Sequence, residues 1–198
     1  MKKIVLILMI NLLLLVSCGT PISWLANGKF TNLYDDKYTG LDSIVTIEGY
    51  YQNTNLTEKG NGSSENNIIF YNDGTILKFN NGALIINKNN EKDSIKGISN
   101  WGHYNLFGDT IKAQVINNFG RIYYNSFTYD PIKIYDNWFI IKDKNTIKEI
   151  YYNVINHDSS YNRVKLNTYK FKPLNQKPDS NCWLKTHEWA WKDGKIIK

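Results

Sequence analysis

The sequence predicts an all-β protein, an antiparallel up-and-down barrel of about eight to ten strands with a short C-terminal helix. Three observations carry this prediction. Short segments rich in Ile, Val, Thr and Tyr alternate between apolar and polar residues with period two. Asn-Gly and Asp-Gly turns separate several of them at the short spacing typical of a β meander. Helical periodicity is missing until about residue 179.

The first strand is predicted at residues 43–52, where alternation is sustained. Successive side chains of a strand point to opposite faces, so Val45, Ile47, Gly49 and Tyr51 share one face. The other face carries a mixture of polar and apolar residues. This pattern is typical of a strand with one buried side.

The remaining strands follow in series. Turns at Asn72-Asp73-Gly74 and Asn80-Asn81-Gly82 predict two hairpins, because these residue types adopt the positive φ angles of tight turns. Ile111, Ala113 and Val115 lie on one side of a later strand. The predicted strands after the first are residues 67–71, 75–79, 83–87, 97–106, 110–116, 121–129, 131–135, 138–142, 146–154 and 163–171, with a charged loop at 88–96.

A helix is predicted at the C-terminus, from Asp179 or Ser180 as the cap to Asp193, with Gly194 as the stop. One face of this helix would carry aromatic and small residues at helical spacing: Trp183, His187, Ala190 and Trp191. Aromatic stripes at this spacing are usually packing surfaces. We therefore expect the helix to pack against the outside of the barrel.

The first residues predict an export signal. Lys2 and Lys3 precede an apolar run at residues 4–16, which as a helix would span roughly 20 Å, against the ~30 Å of a bilayer core. The ending Leu15-Val16-Ser17-Cys18 resembles the lipobox of bacterial lipoprotein precursors. That resemblance implies cleavage before Cys18 and attachment of diacylglyceryl and palmitate to it. A plain signal peptide with a coincidental cysteine is the alternative.

Four parts are therefore predicted along the chain. They are a lipoprotein signal peptide at 1–17, a lipid-anchored tether at 18–41, a β-barrel domain at 42–175 and a C-terminal helical segment at 176–198 that packs on the barrel. The expected location is the bacterial cell envelope. Gly19 and Thr20 do not resemble the usual retention signals, so the choice between inner and outer membrane stays open.

Composition excludes several classes of partner and chemistry. Cleavage before Cys18 leaves 181 residues with a formal net charge of +4, since Lys2 and Lys3 leave with the signal. The positive charges form no basic block, so no nucleic-acid partner is expected. Cys182 is the only other cysteine, which rules out an internal disulfide in the lipidated form.

The sequence carries no pattern typical of an enzyme. His103, His157 and His187 stand at no metal-ligand spacing. Cys182 and His187 would lie on different faces of a helix, and Cys182 is better interpreted as a small buried residue. We therefore predict no catalytic residues, no metal and no cofactor.

Short motifs follow one another in order after the lipobox. They are Thr39-Gly40-Leu41-Asp42, Ile47-Glu48-Gly49-Tyr50-Tyr51, Trp101-Gly102-His103-Tyr104 and the tryptophan-rich residues 183–192. This combination resembles uncharacterised lipoproteins of Gram-negative bacteria with a lipocalin-like barrel. The resemblance covers most of the mature chain. It implies a barrel in which Tyr51 stands where lipocalins carry the tryptophan of Gly-x-Trp.

Two functions are weighed. The first is a membrane-anchored module whose barrel lumen or mouth holds a small apolar or amphipathic ligand, since eight strands enclose room for side chains or one small ligand. The expected lining is Val45, Ile47, Tyr51, Ile111, Ala113 and Val115. The alternative is a non-catalytic structural or protein-interaction module with a side-chain-filled barrel and an unknown protein partner. Register decides between them, because it sets which face is inside.

Overall fold

The chain forms an antiparallel barrel, as predicted. The computed structural model describes residues 29–35, 37–54, 66–80, 84–85, 94–95, 99–117, 133–155 and 166–192. Its strands are β1 Gly49–Asn53, β2 Asn66–Phe70, β3 Thr75–Asn80, β4 Leu84–Ile85, β5 Ser94–Ile95, β6 Ser99–Phe107, β7 Thr110–Asn117, β8 Lys133–Asp143, β9 Thr146–Val154 and β10 Thr168–Pro173. Eight of them close a barrel in the order β1-β10-β9-β8-β7-β6-β3-β2, and β4 pairs with β5.

Most strands lie where the sequence places them. β9 coincides with its predicted range, and β7 extends one residue beyond its own. β8 replaces the two strands predicted at 131–135 and 138–142, because Asp136 and Asn137 continue the ladder with Gln114 and Ala113 of β7. The strand predicted at 121–129 lies outside the described residues.

The first predicted strand is wrong in its N-terminal half. Strand structure begins at Gly49, whereas Leu41–Ser43 is a 3-10 helix. Val45 donates a backbone hydrogen bond to Leu41, and Thr46 donates one to Lys144, so this stretch folds across the end of the barrel. The cause is tertiary: burying the apolar side chains of this stretch in the barrel end outweighs the local preference for a strand.

The β2–β3 hairpin forms at the predicted turn. Gly74 has φ of 82°, a conformation that favours glycine, and its N–H donates to the carbonyl of Tyr71 over 3.1 Å. Asp73 fixes the turn further by accepting a hydrogen bond from the Thr75 N–H at 2.9 Å. Of the second predicted turn, Asn81 and Gly82 lie outside the described residues.

The C-terminal segment is helical in two short pieces instead of one α-helix. Trp183–Thr186 and Glu188–Ala190 are 3-10 helices, and His187 between them is extended. Backbone pairing with the N-terminal segment competes with an α-helix here, because the Tyr34 N–H donates to Ala190 and the Lys192 N–H to Tyr34. Ser180 donates to the Asp73 carboxylate instead of capping a helix.

The segment nevertheless packs on the outside of the barrel. Leu184, Ala190 and Trp191 are buried against Ile116 of β7 and Ile134 of β8. Lys185 adds an ion pair of 2.6 Å to Asp73 in the β2–β3 turn. Residues 29–35 run beside it and share the same apolar cluster through Phe30 and Tyr34.

The two ends of the barrel differ. Tight turns at 72–74, 108–109 and 144–145 join strands at one end, and residues 41–48 cover it; we call this the closed end. At the opposite end the connections are longer, and we call it the open end for their length alone. Residues 55–65, 81–83, 86–93, 96–98, 118–132 and 156–165 of these connections lie outside the described part. Among the described residues, no helix has the length and apolarity needed to cross a membrane.

Candidate functional site

The predicted ligand-lining residues come together in space. All six belong to one buried apolar cluster inside the barrel: Val45, Ile47, Tyr51, Ile111, Ala113 and Val115. Each is at most 5% exposed. The register therefore points the predicted face inward. Their role as a ligand lining stays a prediction.

Aromatic rings from opposite walls meet in the half of the lumen next to the closed end, which we call the closed half. Phe70 of β2 and Phe139 of β8 face each other across the barrel, with ring centroids 6.2 Å apart at an interplanar angle of 85°. Phe70 also contacts Tyr104 edge to face at 5.3 Å and Tyr51 at 5.8 Å. Such edge-to-face pairs lie in the favourable 4.5–7 Å range. Side chains thus span the lumen at this level.

Toward the open end, in what we call the open half, the lumen contains a connected group of polar side chains. Lys78 Nζ of β3 donates to Asn137 Oδ1 of β8 over 3.1 Å, and Asn137 Nδ2 donates to Glu149 Oε1 over 3.2 Å. Asn167 donates to Glu149 Oε2 from its backbone N–H at 3.3 Å and from Nδ2 at 3.0 Å. All four residues are buried. We call them the lumen network.

The sequence analysis did not predict this network. In β3, Lys78 stands between Leu77 and Phe79, so period-two alternation would place the two apolar side chains inside and the lysine outside. All three are buried, because the outer face of β3 is covered as well. The available signal is a single lysine among Ile76, Leu77 and Phe79, because a nearly continuous apolar run is typical of a strand buried on both faces.

Two charged side chains inside a barrel are costly. Removing an ion from water costs several kcal/mol unless partners compensate, and here amide side chains link Lys78 to Glu149. Asn100 pairs with Lys78 across the β3–β6 ladder, and its buried Oδ1 has no hydrogen-bond partner within the described part of the chain. Among the described residues, this half of the lumen therefore brings a lysine, a glutamate and an amide oxygen without a partner close together.

The histidines and the cysteine fall elsewhere. His103 lies on the outer face of β6 against the Tyr34 ring at 4.4 Å, and burial lowers its pKa to about 4. Cys182 is buried with Sγ 3.4 Å from the Tyr34 hydroxyl, and burial raises its pKa. His187 packs edge-on against Trp183 at 5.6 Å.

Two predicted features remain untouched by the structure, since Cys18 and His157 lie outside the described residues. Within the described ranges, no three His, Cys, Asp or Glu side chains cluster in a way that could hold a metal ion. Comparisons with protein-family models, curated proteins and solved structures found no match to this chain.

Proposed function

We propose that this protein is a lipid-anchored lipoprotein of the bacterial envelope whose side-chain-filled barrel serves as a non-catalytic interaction module. The observation that carries the proposal is the contact between Phe70 and Phe139 across the lumen at 6.2 Å. An eight-stranded barrel has an interior just wide enough for side chains or one small ligand. Rings that meet at its centre occupy the space that an apolar ligand would need.

The outer surface supports the same proposal. Large apolar side chains are exposed there, with Tyr38 at 65%, Phe107 at 56% and Ile150 at 40%. Aromatic residues are enriched at protein interfaces. The anchor at Cys18 would hold this surface close to the membrane, where a partner of the envelope is within reach.

The test is a native mass spectrum of the full chain extracted from its own membrane, together with a thermal-shift panel of fatty acids, sterol-like compounds and quinones. We expect the mass of the lipidated polypeptide alone and no shift with any compound. An apolar molecule that co-purifies with the protein would overturn the proposal if it also stabilises the fold. A bound ligand at a hundred times its Kd would add about 2.7 kcal/mol.

A second candidate function is the binding of an amphipathic ligand in the open half of the lumen. The observation that favours it is the lumen network of Lys78, Asn137, Glu149 and Asn167, with the Asn100 carbonyl oxygen beside it. Lysine is a strong donor to an anionic head group. Because rings fill the closed half, only a ligand with a short apolar part would fit in the open half.

This candidate is tested with Lys78→Met and a series of short-chain fatty acids. Binding that is present in the parent protein and absent from Lys78→Met would support it, provided that Lys148→Met binds normally. Lys148 is the matched control because it lies on β9 with an exposed side chain. Equal binding by all three proteins would contradict a lumen site.

A further inference from the structure

We propose that a cleft on the outer wall of the barrel is a binding site for a single neutral sugar ring. The cleft has a volume of about 220 Å³ and lies between residues 29–35 and the outer faces of β7 and β8. Its lining includes Asn32, Phe107, Lys112, Gln114, Asp136 and Trp138. This inference rests on the proposed interaction role: the sugar would be part of the partner that the module binds.

One wall of the cleft is aromatic. Lys112 extends between two rings, with Nζ 4.2 Å from the centroid of Trp138 and 5.0 Å from that of Phe107. Tyr151 of β9 supports Trp138 from the next strand at 4.8 Å. The negative faces of the rings attract the ammonium, which fixes the lysine at the cleft. The apolar edge and face that remain on exposed Phe107 match the C–H side of a sugar ring.

The floor of the cleft is polar and rigid. Gln114 is 6% exposed, and its Oε1 accepts the N–H groups of Thr31 and Asn32 at 2.7 and 2.9 Å. Asn32 in turn donates to the backbone carbonyls of His103 and Lys112 at 2.7 and 3.0 Å. These contacts clamp residues 31–32 onto the barrel. A site whose supporting side chains are locked loses little entropy when a ligand binds.

Gln114 and Asn32 are engaged within the protein, so Asp136 is the acidic side chain of the cleft that can contact a ligand. It lies opposite Gln114 in the β7–β8 ladder and is half-buried. Burial raises the pKa of its carboxyl, and a hydrogen bond from Gln114 opposes that rise. At neutral pH the carboxylate accepts hydrogen bonds, while Lys112 on the wall donates them.

Size and charge select the class of ligand. Drug-sized ligands occupy pockets of about 300–1,000 Å³, so this cleft suits a smaller molecule. One carboxylate and one ammonium give the site no net charge, so either kind of ion would meet a like charge. A hydroxyl can donate to Asp136 and accept from Lys112. A ligand that carries several hydroxyls and one apolar face satisfies these conditions, and a sugar ring is such a ligand.

The test is ligand-observed saturation-transfer NMR on the full chain in a detergent that contains no sugar. The probes are D-glucose, D-galactose, D-mannose and N-acetyl-D-glucosamine. We expect at least one to bind with a Kd of about 1 mM, the range of a small site with few contacts. Asp136→Asn and Phe107→Ala should each weaken that binding at least tenfold.

Tyr38→Ala serves as the matched control, because Tyr38 is a more exposed aromatic residue that does not line the cleft. It should bind the same sugar with unchanged affinity. Both cleft variants change exposed or half-buried side chains, and an unchanged unfolding midpoint will show that they fold. Absence of binding by every probe overturns the inference, as does equal binding by all variants. Neither result alters the mass-spectrometric test of the filled barrel.

Discussion

Replacing Gly74 by valine tests how the β2–β3 turn is fixed. Gly74 has φ of 82°, and an ideal Cβ built there would lie 2.2 Å from His103 Nε2 and 2.8 Å from its Cδ2. The His103 ring has little room to move away from such a Cβ. It is 1% exposed and packs against Tyr34 at 4.4 Å, and the Tyr104 N–H that follows it is bonded to the Gly74 carbonyl at 2.8 Å.

Two separate costs add up for Gly74→Val. A side chain in the left-handed region costs roughly 1–2 kcal/mol. Forcing the ring of His103 to move in a packed layer costs about 1–3 kcal/mol more. The expected loss in the free energy of unfolding is therefore about 2–5 kcal/mol, a large part of the 5–15 kcal/mol of a typical domain.

Gly108→Val separates the two costs. Gly108 also has a positive φ, 60°, but a Cβ there would meet no atom within 4 Å. This variant should lose only the backbone cost of about 1–2 kcal/mol. Urea unfolding followed by tryptophan fluorescence measures both variants against the parent. With a slope of about 2 kcal/mol per M, the midpoint of Gly74→Val should fall by about 1–2.5 M.

Equal losses in the two variants would show that His103 yields freely and that the steric reasoning is wrong. A midpoint of Gly74→Val that matches the parent would refute the turn assignment as well. Gly74→Ala offers a milder version of the same comparison if the valine variant does not fold.

Three further predictions concern the anchor, a buried histidine and the lumen network. Cys18→Ala should move the protein from the membrane fraction to the soluble fraction, because the acyl chains are lost. Burial lowers the pKa of His103 from 6.5 to about 4, so the unfolded chain binds a proton first as the pH falls. Stability should therefore drop by about 3 kcal/mol between pH 6.5 and pH 4, and His103→Phe should remove this dependence. Glu149→Leu should cost about 3 kcal/mol in urea unfolding, because it leaves buried amide donors of Asn137 and Asn167 without an acceptor.

Each of these has its own control. Retention of the Cys18→Ala variant in membranes at high salt would contradict an acyl anchor, since salt screens any electrostatic attachment. An unchanged pH slope in His103→Phe would show that other groups titrate in this window. Glu188→Leu, at an exposed glutamate, should change stability by no more than about 0.5 kcal/mol; a loss equal to that of Glu149→Leu would refute the network.

The β2–β3 hairpin shows how much of the fold was legible in the sequence. Asp73-Gly74 supplies a local geometry that few other pairs can adopt, and the flanking residues alternate with high β-propensity. Both signals act over a few residues, so they survive in any tertiary context. The same reasoning placed the strand at 146–154 and the inward face of Ile111, Ala113 and Val115. The lipobox at Cys18 is likewise a local pattern, and lipidation there stays a prediction.

Residues 41–48 and 183–190 show where local reasoning fails. The first stretch has a strand pattern but covers the closed end, because Leu41, Val45 and Ile47 gain more from burial in the lumen than from a ladder. The second has a helical pattern, but its backbone also pairs with residue 34 on the outer surface of the barrel. The competing partners lie far away along the chain, so no window of sequence contains them.

The sequence by itself determined a chain of alternating strands and tight turns, and hence the barrel class; its export stays a prediction. Only the tertiary structure decided what each face of a strand meets. Lys78 points into the lumen, whereas Leu77 and Phe79 are buried on the outer face of β3. They are buried because other side chains of the same outer cluster pack against them there. The outer cleft also exists only where residues 31–32 meet β7 and β8. Alternation in the sequence determines which side chains share a face of a strand, but the burial of that face depends on what packs against it.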